Sequence, residues 1–400
     1  MQGILKEFAA NENNPKWESI IKRNTVLYQQ DGDMRSTFVR DYTRIINSSA
    51  YRRLRNKTQV FFSPQSDHIC TRIEHVNHVE SISYTIAKYL GLNTELTRAI
   101  SVAHDLGHAP FGHKGEKFLS EISKAEIGEP FWHERNGLWV VDKIELLEDY
   151  EKCRRNLDLT YAVRDGIVSH CGEVSDDGII PRDDAIDLEK EFTAPSKFQP
   201  FTYEGCVVKI SDRISYIGRD INDAIDLGIF QPQKINEIQE ELSEVLGEKI
   251  NNTILLNRFV TDVCENSSPE RGIALSPALK RAMDVMNKFN LENIYRCKRV
   301  EYSDKFFKLV INQIYELLSE TWNGIYTFDE LRRLSVYYPQ IAERFTTWLI
   351  GYTEMRSAEY KNDIIFDIGN EKEYKKAIIT YISGMTDKFA IDTYNEIISF

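Results

Sequence analysis

The chain has 400 residues, of which 42% are hydrophobic and 28% charged, with a formal net charge of −12. That length and apolar content allow a large buried core, in one large domain or two smaller ones. The acidic balance excludes a general nucleic-acid coat, because phosphate backbones are held by an excess of Lys and Arg.

Residues 1–34 carry Asn-rich and Asp-Gly segments and read as an irregular lead-in with one short helix. The opening run Met1-Gln2-Gly3-Ile4-Leu5-Lys6-Glu7-Phe8 meets charge too soon for a secretory signal. No uncharged apolar run approaches the roughly twenty residues of a membrane span. A soluble, cytoplasmic protein without membrane partners is expected. The cysteines agree with this: Cys70, Cys153, Cys171, Cys206, Cys264 and Cys297 show no C-x-x-C spacing and read as reduced, mostly buried thiols.

From Arg40 the pattern turns helical. Ile45, Ile46, Ala50 and Leu54 recur near helical spacing, decorated by Arg40, Arg44, Arg52, Arg53 and Arg55. Gln59-Val60-Phe61-Phe62 followed by Ser63-Pro64 reads as a loop or turn. A helix is expected from about Ile73 to Leu90, ended by Gly91. Asn93 can cap the next helix, which carries Leu96, Ile100, Val102 and Ala103 into His104-Asp105 and must end near Gly107 or His108, before Pro110. Phe111-Gly112-His113 is then a turn, and helix resumes at Lys114. Residues 172–203 are the most loop-like segment, with Gly172, Asp176-Asp177-Gly178, Pro181, Pro195 and Pro200. Val207, Ile210, Ile214, Ile217, Ile221 and Ile225 predict one long helix over 204–227. Beyond Gln231 four to six more helices are expected. The fold class is therefore all-α, with a helical core over 35–230 and a helical C-terminal region over 231–400 packed on it.

Histidine is scarce and clustered. Six of the eight, His75, His78, His104, His108, His113 and His133, fall in fewer than sixty residues. His75 and Arg72 lie three apart and share a helix face. His104 and His108 lie four apart, with Asp105 beside the first. Asp212, Tyr216 and Asp220 repeat at i, i+4 and i+8 and so form a row on the third helix. Two imidazoles and two carboxylates in this order can close around one divalent metal. Taken singly, each piece has a plainer reading: a His-Asp pair is ordinarily a surface pair or cap, a lone His a satisfied core residue, and the carboxylates charges on a solvated face.

Their joint occurrence with a particular text changes the balance. Ser48-Ser49-Ala50-Tyr51-Arg52-Arg53-Leu54-Arg55-Asn56-Lys57-Thr58-Gln59-Val60-Phe61, Thr71-Arg72-Ile73-Glu74-His75, and Ala103-His104-Asp105-Leu106-Gly107-His108-Ala109-Pro110-Phe111-Gly112-His113-Lys114-Gly115-Glu116 closely resemble the deoxynucleoside triphosphate triphosphohydrolases. These are HD-domain enzymes, best known through the bacterial deoxyguanosine triphosphate triphosphohydrolases. Phe131-Trp132-His133-Glu134, Ser211-Asp212-Arg213-Ile214-Ser215-Tyr216 with Asp220, and Tyr381-Ile382-Ser383-Gly384-Met385-Thr386-Asp387 extend the resemblance over about residues 35–390. Two departures, His78 and the run Lys209-Ile210-Ser211 before Asp212, touch no proposed ligand. The segment around Thr327 to Met355 matches nothing in that text.

The resemblance implies an HD-domain core in which His75, His104, Asp105 and Asp212 hold one divalent metal. The donors suit Mn²⁺, Fe²⁺, Co²⁺, Ni²⁺ or Zn²⁺, with Mn²⁺ or Mg²⁺ the natural assay ions. It implies attack of water on the α-phosphorus of a deoxynucleoside triphosphate, dGTP being the expected substrate, with release of tripolyphosphate. His113 with Glu116 then handles the proton, and His108 and His133 line the phosphate pocket. Gln59 is implied as a deoxyribose-edge contact, Tyr216 with Asp220 as the pair against the sugar's 2′ and 3′ carbons, Arg72 and Arg213 as phosphate clamps, and Tyr381 and Asp387 as further substrate contacts. Relatives are homo-oligomers, from dimers to hexamers, and some bind single-stranded nucleic acid, here tied to the Arg52–Lys57 cluster. Two other readings stay open: a different HD phosphohydrolase, acting on nucleoside monophosphates or cyclic nucleotides, and a nucleotide sensor without turnover.

Overall fold

A computed structural model describes residues 2–25, 32–62, 68–172, 178–230, 232–246 and 251–399. The expected turn at Ser63-Pro64 and the Asp176-Asp177 part of the loop-like segment lie outside the described residues. Up to residue 230 the chain carries α1 (Trp17–Ile20), α2 (Thr37–Asn47), α3 (Ser49–Arg53), α4 (Arg72–Leu90), α5 (Thr94–Ala103), α6 (Gly112–Glu126), α7 (His133–Trp139), α8 (Tyr161–Ser169), α9 (Leu188–Glu191), α10 (Tyr203–Ile217) and α11 (Arg219–Asp226). There follow α12 (Pro232–Leu246), α13 (Asn252–Asn266), α14 (Pro277–Asn290), α15 (Lys298–Ser319), α16 (Thr327–Leu334), α17 (Pro339–Ile350), α18 (Glu371–Ser383) and α19 (Asp387–Ile398). Among the described residues the sole sheet is an antiparallel hairpin of β1 (Leu146–Glu148) and β2 (Arg154–Asn156), with Leu147 opposite Arg155. The protein is all-α.

α4 is central. It packs on α5 and α10, while α5 also meets α2 and α8. One apolar cluster joins Ile82, Ile86 and Leu90 of α4 to Val207, Ile210 and Ile214 of α10 and to Phe259 and Met283 of α13 and α14. A second joins Val76 and Val79 of α4 to α2, α5 and α8. A third holds α6 against α15, α17, α18 and α19. The lead-in is stitched to this frame: Gly3 and Leu5 donate backbone hydrogen bonds to the carbonyls of Tyr89 and Leu90.

Two sequence expectations change. The single helix expected over 204–227 is divided at Gly218, where α13 presses in: a Cβ at Gly218 would lie 2.8 Å from Asn252 Oδ1. Past Gln231 there are eight α-helices among the described residues instead of four to six. α17 opens with Pro339 in its first turn, which bars the preceding residue from helix and separates α16 from α17.

Candidate functional site

Thr71 lies before α4, and its N–H donates to Glu74 Oε2 at 2.7 Å, fixing the first turn that carries Arg72 and His75. Asn93 caps α5 as expected, its Oδ1 accepting from the N–H groups of Glu95 and Leu96. The α-helix ends at Ala103, earlier than the sequence suggested, because Leu106 and His108 donate three residues back to Ala103 and Asp105. Successive residues of a regular helix point about 100° apart. His104 and Asp105, adjacent at this turn, nonetheless reach the same centre.

There, His75 Nε2 lies 2.9 Å from Asp212 Oδ1 and 3.7 Å from Asp105 Oδ2. His104 Nε2 lies 3.5 Å from Asp105 Oδ1 and 3.8 Å from Asp212 Oδ1. The tautomers follow from the hydrogen bonds behind. His104 Nδ1 sits 2.7 Å from the Ser101 carbonyl, which can only accept, so Nε2 keeps its lone pair; that Nε2 is buried without a hydrogen-bond partner. Ser215 Oγ donates to the Asp212 carbonyl and lies 3.1 Å from His75 Nδ1, which turns the other nitrogen of His75 inward. Burial alone raises the Asp212 carboxyl, but the hydrogen bond and charge of His75 bring it down to about 2. Burial likewise opposes ionisation of Asp105, and the Arg72 guanidinium beside it holds its carboxyl well below the usual range. Donors about 2.0–2.2 Å from one cation stand about 3 Å apart. Two inward-facing imidazole nitrogens and two carboxylates at these separations fit a divalent metal.

Beside this quartet lies a second cluster. His108 Nε2 is 3.0 Å from Asp105 Oδ1, and its ring stacks on His133 at 3.8 Å between centroids. Gly107 permits this approach of α7: a Cβ there would lie 2.0 Å from the His133 carbonyl oxygen. Glu116 Oε2 is 2.9 Å from His133 Nδ1 and 3.4 Å from His113 Nδ1. The sequence paired Glu116 with His113 alone; its shorter bond goes to His133, the first residue of α7. Burial opposes charge on both stacked rings. The carboxylates of Glu134 and Glu116 outweigh it at His133, whose pKa rises well above the ordinary value, whereas Arg72 and His133 add to it at His108, which falls well below. His113 stands apart, its side chain 70% exposed at the start of α6.

That start is strained. Phe111 has φ 64°, a left-handed conformation costing of order 1–3 kcal/mol in a bulky residue. Its N–H donates to Asp387 Oδ1 at 2.8 Å, and Asp387 Oδ2 accepts from Thr58 N–H at 2.8 Å. Its ring stacks on Phe307. Asp387, one of the expected substrate contacts, thus ties two loops together.

The Arg72 side chain, 1% exposed, lies 2.6 Å from Asp105 Oδ2 and also donates to the carbonyls of Thr58 and Gln59; it holds a carboxylate of the quartet, and its Nε is buried without a partner. Tyr381 packs on Phe345 and Trp348 in a cavity of about 670 Å³ that also contains Arg53 and Arg344 and none of the quartet. Lys57 is buried and bonds the carbonyls of His108 and Ser383. The basic cluster loses that charge, while Arg53 pairs with Glu145. Gln59 Oε1 is buried without a partner, and Arg213 donates to the Gly172 carbonyl at 2.6 Å. Tyr216 packs beside the first apolar cluster. Asp220 is buried and accepts from Tyr295 Oη. His170, passed over in the sequence, brings its ring to 5.0 Å of His104 and 5.4 Å of His133; its one signal was a histidine closing a wholly buried helix.

Residues 72–217 match the HD domain family. The chain is 33% identical over 375 residues to a deoxyguanosinetriphosphate triphosphohydrolase-like protein of Caldanaerobacter subterraneus subsp. tengcongensis, covering 94% of this chain and 88% of the relative. It is 31% identical to the like-named protein of Desulfatibacillum aliphaticivorans, covering 91% and 88%, and 28% identical to that of Clostridium tetani, covering 94% and 89%. Among the described residues no helix is long and apolar enough to cross a membrane. With its quartet inside the matched HD segment and likeness over nearly its whole length, the chain belongs to the deoxyguanosinetriphosphate triphosphohydrolase-like family of HD-domain proteins.

Proposed function

We propose that this protein hydrolyses deoxynucleoside triphosphates, dGTP first among them, to the deoxynucleoside and tripolyphosphate through attack of water on the α-phosphorus. The observation that carries this reading is the quartet of His75, His104, Asp105 and Asp212 set directly against the His108–His133 stack, with Glu116 joining His133 to an exposed His113. The quartet would hold one divalent cation, with Mn²⁺ or Mg²⁺ in assay. Bound there, a cation supplies a lowered pKa for an attacking water and charge against the phosphate oxygens.

The chain's own residues do the rest. Arg72 keeps Asp105 ionised and aimed inward. His133, charged between Glu116 and Glu134, offers a cation to a polyphosphate. His113 projects into solvent with Glu116 behind it, so its imidazole can give a proton to the departing 5′-oxygen. Gln59 presents an unsatisfied carbonyl suited to the sugar edge. Tyr216 would exclude a 2′-hydroxyl and Asp220 would accept from a 3′-hydroxyl. A homo-oligomer in the cytoplasm is the expected working form.

The test incubates metal-stripped protein with each of the four deoxynucleoside triphosphates, singly and mixed, with Mn²⁺ or Mg²⁺, and separates products by ion exchange. Deoxynucleoside plus tripolyphosphate supports the reading. Stepwise loss of phosphate points to another HD phosphohydrolase. Bound nucleotide without products makes the protein a sensor.

A further inference from the structure

Beyond the quartet, a second set of soft donors converges. Cys171 Sγ, just past α8, lies 3.3 Å from His133 Nε2, and one donor atom each from His133, His170 and Cys171 lie within 4.8 Å of one another. His170 Nδ1 is 2.7 Å from the Ile167 carbonyl, which can only accept, so Nε2 is left with its lone pair. His133 Nδ1 is likewise engaged by Glu116 at 2.9 Å. An acceptor behind the far ring nitrogen is how ligating imidazoles are oriented. Both rings are at least 96% buried.

The thiol is held as firmly. Lys209 Nζ donates to the Cys171 carbonyl at 2.7 Å, and Arg213 to the Gly172 carbonyl at 2.6 Å. Two cations on α10 thus pin the backbone that aims the sulfur. Among the described residues Cys171 is the one cysteine grouped with imidazoles. A lone thiol beside a histidine is ordinarily a weak hydrogen bond; a second imidazole and an anchored loop are what that reading leaves unexplained.

We propose that Cys171, His133 and His170 form a second metal site, separate from the quartet, that takes a borderline-soft divalent cation of the zinc class. The donor set is one sulfur and two imidazole nitrogens, which favours Zn²⁺ or Co²⁺ over Mg²⁺. Metal–sulfur and metal–nitrogen lengths near 2.3 and 2.0 Å in a tetrahedral site place sulfur and nitrogen roughly 3.5 Å apart. The 3.3 Å between Cys171 and His133 needs little change. Binding displaces the thiol proton, so the site fills more readily as pH rises. His133 belongs to both clusters. If the hydrolase reading holds, filling this site withdraws the His133 charge from the phosphate pocket, and thiophilic cations inhibit an enzyme that Mg²⁺ or Mn²⁺ supports.

The test does not depend on turnover. Metal-stripped, reduced full-length protein is titrated with Co²⁺ without oxygen, following thiolate-to-cobalt charge transfer in the near ultraviolet and bound cobalt by elemental analysis. The wild type should develop the band and bind a second equivalent of cobalt. Cys171→Ser should lose both and keep the first equivalent, and His170→Gln should weaken the band if the serine variant folds poorly by circular dichroism. Asp212→Asn, directed at the quartet, should keep the band. Absence of the band at saturation, or its survival in Cys171→Ser, overturns the site. Its loss in a folded Asp212→Asn shows one merged site and overturns the separation. Failure of the hydrolase reading leaves the band untouched.

Discussion

At the scale of single residues, the site is a set of charges fixed by what stands behind them. His113 is the exception, since it is exposed and held only loosely by Glu116. Replacing it with Ala should therefore leave the metal quartet intact and slow turnover by roughly two to four decades, the size of a lost general acid or base. Equal metal content by elemental analysis, with an unchanged rate, would show that the proton passes elsewhere. Asp220 makes a different prediction, because burial raises its carboxyl to about 7 against an ordinary 3.8. The folded state then holds a proton that the unfolded chain releases between those values, so stability falls as pH rises from about 4 to about 7 and is level above. The loss amounts to at most about 4 kcal/mol. Asp220→Asn should flatten that slope in denaturant titrations, and a slope unchanged from the wild type contradicts the burial argument.

At the scale of elements, the close approach of α7 to the turn after α5 stacks His108 on His133. Gly107→Ala should push α7 away, because the added Cβ would meet the His133 carbonyl oxygen at 2.0 Å. We expect a loss of roughly 1–3 kcal/mol, typical of overpacking. Catalysis should fall further than metal binding does. Metal retention measured beside the melting temperature decides this: wild-type activity in the alanine variant would mean the stack is dispensable. The same scale shows what the sequence could and could not reveal. Helix periodicity and the Asn93 cap made α4 and α5 legible, and the crowding of histidines pointed to the quartet. The spacing of Arg72 to His75 is visible in the sequence, while its partner Asp105 arrives from the turn after α5. Tyr381 near the end of α18 and Asp387 at the start of α19 flank a turn whose packing no local pattern encodes. The division at Gly218 depends on α13 pressing against it, again a contact between elements.

For the whole molecule, three apolar clusters share α4 or lie across α6 and the last five helices, so the site sits where the clusters meet. The C-terminal helices leave Ile325, Val336 and Tyr337 at least 75% exposed, in or beside the stretch from Thr327 to Met355 that matched no familiar text. Exposed large apolar side chains of this kind often mark a protein contact. We expect the protein to be a homo-oligomer that uses them, and light scattering on Val336→Asp with Tyr337→Asp should show a smaller mass than the wild type. An unchanged mass places the contact elsewhere. The claim that joins these scales is attack on the α-phosphorus, and hydrolysis of dGTP in water labelled with heavy oxygen tests it most directly. Mass spectrometry should find the label in tripolyphosphate and none in deoxyguanosine; label in the nucleoside hydroxyl, or in released monophosphate or pyrophosphate, would contradict it.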